Sequence, residues 1–341
     1  MNSIVDLDKH LLNEISQLIE QTKGKVATQA NSALTILFWE VGQKINVHIL
    51  NNKRAEYGKQ IVVTLSRELV KRFGRNFEEK NLRRMQQFAE QFMDFEIVVT
   101  LSRHLSWSHI LALIPLKSEQ AKIFYAEKSA SELWSVRELR DQISRKTYER
   151  TQIANSQLSK NQQNIHHIFK DPYLLDFLDV KDDYLENDLE TAILKELEQF
   201  ILELGNGFTF VERQKRMIID GEDFYLDLLF FHRKLKRLVV IELKIGKFKA
   251  AYKGQMELYL KWLDKYDRQE NEEKPIGLIL CAEASREQIE LLEMHKDGIM
   301  VAEYWTELPP KEELEKKLHS ALIEAKERIE RKKIMIENSL N

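Results

Sequence analysis

The 341-residue sequence predicts an all-helical domain over residues 1–150, followed by an α/β domain with a central mixed sheet over residues 171–310. Helical periodicity recurs through the first 150 residues, which contain no convincing strand pattern. Beyond residue 171, short apolar runs alternate with helical patterns. Net charge changes as well. Residues 1–150 hold 23 Lys and Arg against 18 Asp and Glu, whereas residues 151–341 hold 29 against 37.

The helical domain contains a pattern typical of a helix-turn-helix. Residues 58–73 predict one helix and residues 76–92 a second, with Phe73-Gly-Arg-Asn76 as the turn and Asn76 as the N-cap. Residues 53–84 hold ten basic and four acidic side chains, and such an excess attracts a phosphate backbone. An ordinary helical hairpin with a solvated basic face is the alternative. The candidate nucleic-acid-binding residues lie outside the apolar stripe of the second helix: Asn81, Arg83, Arg84 and Gln87.

The boundary between the two domains is expected in residues 151–170, which are polar and weakly patterned and therefore predict a linker. Just before them, Ser135-Val-Arg-Glu138 has the form of a capping box that opens a helix. The second domain is expected to begin at Asp171.

The α/β domain is expected to alternate helices and strands up to residue 303. The predicted helices span residues 186–204, 249–266 and 285–295, and the predicted strands span residues 208–219, 224–231, 237–245, 276–281 and 298–303. A charged helix over residues 311–341 follows, with an apolar stripe from Leu314 to Ile329. The stripe can pack on a partner chain or on its own domain, and the pattern does not decide between them.

Composition indicates a soluble cytoplasmic protein. No apolar run approaches the ~18–20 residues that a membrane helix needs, so no membrane segment is expected. The first residues lack the basic and apolar regions of a signal peptide. The single cysteine, Cys281, excludes an intramolecular disulfide and fits a reducing compartment.

Charged residues interrupt two apolar strands that flank a basic turn, the pattern of a β-hairpin. Asp227 lies in the first strand, and Glu242 and Lys244 lie in the second. Side chains alternate along a strand, so Glu242 and Lys244 point to the same face. Buried charges need a partner or a metal, and carboxylate oxygens suit Mg²⁺. A structural ion pair is the alternative explanation.

Two predicted helices add polar residues near this hairpin. Glu190 lies at the edge of the apolar stripe of helix 186–204, where it can reach a neighbouring sheet. Gln255 is the polar member of a helix face that also carries Tyr252, Tyr259 and Trp262.

The order helix Glu190, strand Asp227, strand Glu242-x-Lys244, helix Gln255 resembles the PD-(D/E)xK nuclease superfamily. Leu226 stands where the superfamily's name has proline. The surrounding segments, residues 203–214, 221–230 and 240–246, look like the YhcG-type PDDEXK nuclease family. The N-terminal half resembles the partner domain of that family through Phe-Trp-Glu-Val-Gly, Phe-Gly-Arg-Asn-Phe and Leu-Ser-Trp-Ser-His.

The resemblance implies a restriction-endonuclease-like fold and assigns a role to each residue. Asp227, Glu242 and Glu190 would hold Mg²⁺ or Mn²⁺, with the Leu243 carbonyl as a further ligand. Lys244 would orient or activate the attacking water, and Gln255 would orient Lys244 or the phosphate.

These roles lead us to expect a metal-dependent nuclease that acts on nucleic acid, with a DNA endonuclease used in defence against foreign DNA or in DNA processing as the preferred form. A homodimer is expected, because one such site cuts one strand and two copies related by two-fold symmetry cut both. The alternative is a catalytically silent nucleic-acid-binding or assembly protein that retains the nuclease fold.

Overall fold

A computed structural model describes residues 29–49, 55–158, 162, 165, 167–178 and 185–340. The chain divides into two compact units, Met1–Arg145 and Lys146–Asn341. The described part of the first unit is helical, and the second unit is built around a mixed six-stranded sheet. The predicted fold class is therefore confirmed. No helix among the described residues is long and apolar enough to cross a membrane.

Three helices of the first unit share a small apolar core of Phe38, Ile45, Val62, Leu82 and Met85. The helices of this unit are α1 (29–49), α2 (Ala55–Phe73), α3 (Glu79–Gln91), α4 (Phe95–Ser102), α5 (Trp107–Leu113), α6 (Glu119–Glu132) and α7 (Val136–Ser144).

Helix α1 approaches α3 closely at Gly42. A Cβ atom at this position would lie 1.9 Å from the Met85 carbonyl oxygen, so a larger residue would force the two helices apart.

Two caps predicted in this unit have different outcomes. Ser135 and Glu138 form the predicted capping box, since the Ser135 N–H donates to Glu138 Oε2 at 2.6 Å and the Glu138 N–H donates to Ser135 Oγ at 3.2 Å. The cap predicted at Asn76 is wrong. Asn76 lies within a 3₁₀ turn, Arg75–Phe77, and α3 begins at Glu79 with Glu78 as its N-cap.

The sheet of the second unit has the order β1-β6-β5-β4-β3-β2. Strands β2, β3 and β4 are antiparallel, and the remaining neighbours are parallel. Strand β1, which the sequence pattern did not indicate, forms one edge. The strands are β1 (Tyr173–Leu174), β2 (Phe208–Ile219), β3 (Glu222–His232), β4 (Arg237–Lys247), β5 (Ile276–Glu283) and β6 (Ile299–Trp305).

Helices cover both faces of this sheet. They are α8 (Thr147–Asn155), α9 (Glu186–Lys195), α10 (Leu197–Leu204), α11 (Ala251–Tyr266), α12 (Arg286–Leu291) and α13 (Lys311–Leu340). Residues of α9 and α10 join the apolar core on one face, and residues of α11 join the core on the other. The single helix predicted over residues 186–204 is divided at Glu196, whose backbone leaves the helical conformation with φ −106° and ψ 34°.

The described residues within 151–170 are not an extended linker. Helix α8 continues to Asn155, and its Ala154 belongs to the same buried apolar cluster as Ile165 and Phe169. The buried guanidinium of Arg150 pairs with Glu203 of α10. The segment is polar overall, so its sequence does not indicate that its few apolar residues are buried in the core.

Helix α13 uses the first part of its apolar stripe within its own unit. Leu314 and Leu318 pack with Ile153 of α8 in a small buried cluster, whereas Ile329 is exposed. Lys146 also pairs with Glu315 at 2.9 Å. For this part of the stripe, packing on its own domain is the alternative that the structure supports.

Candidate active site

The candidate site begins where β3 and β4 separate. Their backbone pairing runs from His232↔Arg237 to Leu228↔Ile241, and Asp227 and Glu242 are the next residues along. There the Asp227 N–H donates to Glu242 Oε1 at 3.2 Å, and the Leu243 N–H donates to Asp227 Oδ2 at 2.9 Å. Each carboxylate thus accepts a backbone N–H of the opposite strand. These charge-assisted hydrogen bonds fix both side chains in place.

Lys244 lies beside the two strand carboxylates. Its Nζ is 3.1 Å from Glu242 Oε2 and 3.9 Å from Glu186 Oε2 of α9. The ammonium also lies 5.7 Å from the ring centre of Tyr252, within the range of a cation–π contact. The structure therefore brings the predicted Asp227, Glu242 and Lys244 together.

Glu190 reaches the same site from α9 through an amide. Gln214 of β2 donates from Nε2 to Glu190 Oε2 at 2.7 Å and to Asp227 Oδ1 at 3.4 Å. Glu190 is buried. It contacts the Gln214 amide, which connects it to Asp227.

Gln255 makes its hydrogen bond within α11. Its Nε2 donates to the Tyr259 hydroxyl at 2.8 Å, and that hydroxyl donates to the Tyr225 carbonyl of β3 at 3.2 Å. This pair ties α11 to the strand that carries Asp227. Lys244 is held by Glu242 and Glu186, so the orientation of Lys244 by Gln255 stays a prediction.

Burial and crowding of like charges shift the ionisation of the site. Burial raises the pKa of Glu242 to about 7, with a further contribution from Asp227. Burial also raises the pKa of Asp227, and the hydrogen bond from the Leu243 N–H opposes this shift. For Glu190, burial again raises the pKa, while the Gln214 hydrogen bond opposes the shift. Burial alone would lower the pKa of Lys244, but Glu242, Asp227 and Glu186 outweigh it and raise the pKa.

The site holds more negative than positive groups. The site contains the carboxyls of Glu186, Glu190, Asp227 and Glu242 but one ammonium, that of Lys244, which pairs with Glu186 and Glu242. Within the described residues, no group of three or more His, Cys, Asp or Glu side chains is arranged so that it could hold a metal ion. Mg²⁺ characteristically uses one or two carboxylates and completes its shell with water and phosphate oxygens. Asp227 and Glu242 fit that requirement, and the excess of negative charge favours a cation.

Sequence reasoning missed three residues of this site: Glu186, Gln214 and Tyr259. Glu186 precedes Glu190 by four positions on the same helix, so the two share a face. Tyr259 follows Gln255 by the same interval on α11. Gln214 could have been found from the Asp220-Gly221 turn, because a two-residue hairpin loop fixes the register of its strands.

The residues predicted for nucleic-acid binding lie on α3 in the first unit. Arg83 Nη2 pairs with Glu79 Oε1 at 2.7 Å, and Arg84 Nη1 lies 3.5 Å from Asn81 Oδ1. Gln87 is exposed. A half-exposed ion pair between Arg83 and Glu79 contributes about 0–1 kcal/mol, so the Arg83 guanidinium can exchange Glu79 for a phosphate at little cost.

Comparison with known proteins identifies two domain families along the chain. The YhcG PDDEXK nuclease domain matches residues 166–319, and the DUF1016 N-terminal domain matches residues 14–150. The Escherichia coli (strain K12) protein named "Putative nuclease YhcG" is 34% identical over 339 residues, covering 88% of this chain and 90% of its own length. The chain belongs to the YhcG family of PDDEXK nucleases. The predicted family is confirmed, and both halves of the chain have their counterpart in it.

Solved structures with detectable similarity cover a smaller part of the chain. A repair endonuclease from Pyrococcus abyssi is 27% identical over 38% of this chain and 50% of its own, with a TM-score of 0.26. The EndoMS–dsDNA2 complex is 22% identical over 39% and 50%, with a TM-score of 0.27. The chain thus spans about half the length of these solved structures.

Proposed function

We propose that this protein is a metal-dependent DNA endonuclease that hydrolyses phosphodiester bonds at the site of Asp227, Glu242 and Lys244. The observation that carries the proposal is the pair of carboxylates fixed across the β3–β4 junction, with an ammonium 3.1 Å from one of them. Two acids can hold a metal ion that activates water against an anionic ester, and an adjacent ammonium can balance the charge that develops on the phosphate. Membership of a nuclease family supports the same reaction class.

Mg²⁺ or Mn²⁺ bound here would neutralise the phosphate and lower the pKa of a coordinated water. Asp227 and Glu242 would supply the direct carboxylate oxygens, and the Leu243 carbonyl remains a predicted ligand. Glu190 would complete the shell directly or through a water, with the Gln214 amide holding it beside Asp227.

Lys244 would serve as a fixed cation. Its ammonium is held close to acids that keep it protonated, so it donates hydrogen bonds and cannot accept a proton. In this position it would orient the attacking water and balance charge that develops on the phosphate. Gln255 would support the site through Tyr259.

The N-terminal domain would supply much of the affinity for DNA. Its basic excess, and the position of Arg83, Arg84, Asn81 and Gln87 on one helix, support this assignment. A homodimer would place two sites on a duplex. A cytoplasmic location fits the single buried cysteine, and a role in defence or DNA processing fits an endonuclease.

The test is incubation of the purified protein with plasmid DNA, single-stranded DNA and RNA, each in Mg²⁺, Mn²⁺ or EDTA. We expect cleavage of DNA with either metal and none with EDTA. If the protein cleaves RNA but not DNA, the proposed substrate would have to be RNA. Tight binding in a gel-shift assay without cleavage under any condition would favour the alternative of a silent nucleic-acid-binding protein.

A further inference from the structure

Gln214 has a backbone conformation that is rare for its residue type. Its φ angle is 45°, in the left-handed region that costs most non-glycine residues energy. Two other non-glycine residues near the sheet share this feature, but Asp220 and Lys236 lie in the turns that join β2 to β3 and β3 to β4. Gln214 lies inside a strand. Residues held in this way persist where the surroundings fix them, and they cluster at functional sites.

The side chain of Gln214 connects two acids of the candidate site. Its Nε2 carries two hydrogens and contacts Glu190 Oε2 at 2.7 Å and Asp227 Oδ1 at 3.4 Å. Glu190 comes from α9 and Asp227 from β3, so this single amide joins two separate elements. The pairs Arg213↔Leu228 and Lys215↔Leu226 place Gln214 directly opposite Asp227 in the sheet.

A neutral donor suits this position better than a charged one. A lysine or arginine between Glu190 and Asp227 would itself supply the positive charge that a metal ion brings. The glutamine amide satisfies one oxygen of each carboxylate and leaves their negative charge in place. Ligating carboxylates are themselves held by hydrogen bonds, and loss of such partners typically reduces metal affinity or activity by about 10–100-fold.

We propose that Gln214 is a positioning residue that holds Glu190 and Asp227 at a fixed separation for a divalent cation. This inference rests on the proposed function, because it assumes a metal at that site. It assigns a reason to the left-handed backbone: in this conformation an edge-strand side chain reaches both acids at once. Gln214 contacts neither phosphate nor attacking water in this assignment.

The experiment compares Gln214→Gly with Lys236→Gly in the full-length protein. Both changes place glycine at a position of similar positive φ, 45° and 52°, and only the first removes a side chain from the acids. Relief of backbone strain opposes the greater entropy of an unfolded glycine. Each variant should therefore unfold in EDTA within about 4 °C of the parent Tm.

Mn²⁺ binding, measured by titration calorimetry without nucleic acid, separates a positioning role from a structural one. We expect Gln214→Gly to weaken Mn²⁺ binding by about 10-fold or more and Lys236→Gly to leave it unchanged. Gln214→Asn keeps an amide and tolerates positive φ, but it is one methylene shorter and should also bind Mn²⁺ weakly. This second variant decides the question if the glycine variant does not fold.

Parent-like Mn²⁺ affinity in folded Gln214→Gly or Gln214→Asn would overturn the positioning role, even if the parent cleaves DNA. A parent that binds Mn²⁺ but cleaves no nucleic acid would overturn the proposed function, while weak binding by the variants would still support the positioning role. A parent that binds no Mn²⁺ would overturn both.

Discussion

Glu242→Gln should make the metal-free protein more stable while it removes nuclease activity. Glu242 is 2% exposed, and burial beside Asp227 raises its pKa from 4.5 to about 7. A carboxyl whose pKa is higher in the folded state reduces stability as pH rises above its unfolded pKa. Glutamine resembles the protonated acid and has no such penalty. It retains an oxygen that can accept the Asp227 N–H.

The size of the effect follows from the pKa difference. Each pKa unit corresponds to about 1.4 kcal/mol, so the variant should be more stable by about 3 kcal/mol at pH 8. At pH 4.5 the difference should fall below about 0.5 kcal/mol, because Glu242 is then protonated in the folded protein.

Urea denaturation in EDTA at pH 8 and pH 4.5 measures this difference. Glu257→Gln is the matched control, because Glu257 lies on α11 in the same unit and pairs with Lys253 at 3.2 Å near the surface. That variant should show no gain at pH 8. A Glu242→Gln protein less stable than the parent at pH 8 would refute the reasoning. It would mean that the Glu242–Lys244 ion pair stabilises the fold and that the ionised Glu242 carboxylate does not reduce the stability of the folded protein.

Three further predictions concern the lysine, the helical domain and the oligomeric state. Lys244→Ala should reduce turnover by about 100-fold or more while DNA affinity changes only a few-fold, because its charge acts on the transition state; parent-like turnover would assign Lys244 a purely structural role. Reversal of Arg83 and Arg84 to Glu should weaken DNA binding and reduce the slope of log K against log salt by about 2, and an unchanged slope would exclude them as phosphate contacts. Light scattering should give about twice the 40.4 kDa chain mass for the free protein, or two chains for each bound DNA duplex, and a single chain in both conditions would contradict the dimer.

The sequence predicts strands β4, β5 and β6 well because they are mostly buried and apolar. The predicted strand over residues 208–219 also agrees with β2, although most of that strand is exposed. The charges at Glu242 and Lys244 stand out against the apolar background of β4. Their convergence with Asp227 follows from the hairpin pattern, since opposite residues on one face of an antiparallel pair are close neighbours.

Contacts between distant elements were harder to predict. Glu186 meets Lys244 only because α9 packs against β4, and sequence spacing does not reveal that approach. The helix predicted over residues 186–204 breaks at Glu196, where no glycine or proline indicates a helix end. The Arg150–Glu203 pair joins residues 53 positions apart, and local sequence patterns do not reveal contacts at that separation.

The position of Gln214 can be predicted from the sequence only in part. The Asp220-Gly221 turn predicts the hairpin register and places Gln214 opposite Asp227. The positive φ of Gln214 and its contact with Glu190 arise from tertiary structure.

The most direct test of the central claim is cleavage of a supercoiled plasmid in Mg²⁺ by Asp227→Asn and Asp223→Asn. Both residues lie on β3, but Asp223 is exposed and pairs with Arg216, whereas Asp227 accepts the Leu243 N–H at the candidate metal site. Asparagine keeps the shape and an acceptor oxygen at either position, so folding should be preserved. We expect Asp227→Asn to lose at least about 100-fold in rate and Asp223→Asn to cleave like the parent. Parent-like cleavage by Asp227→Asn would contradict a metal-dependent mechanism at this site.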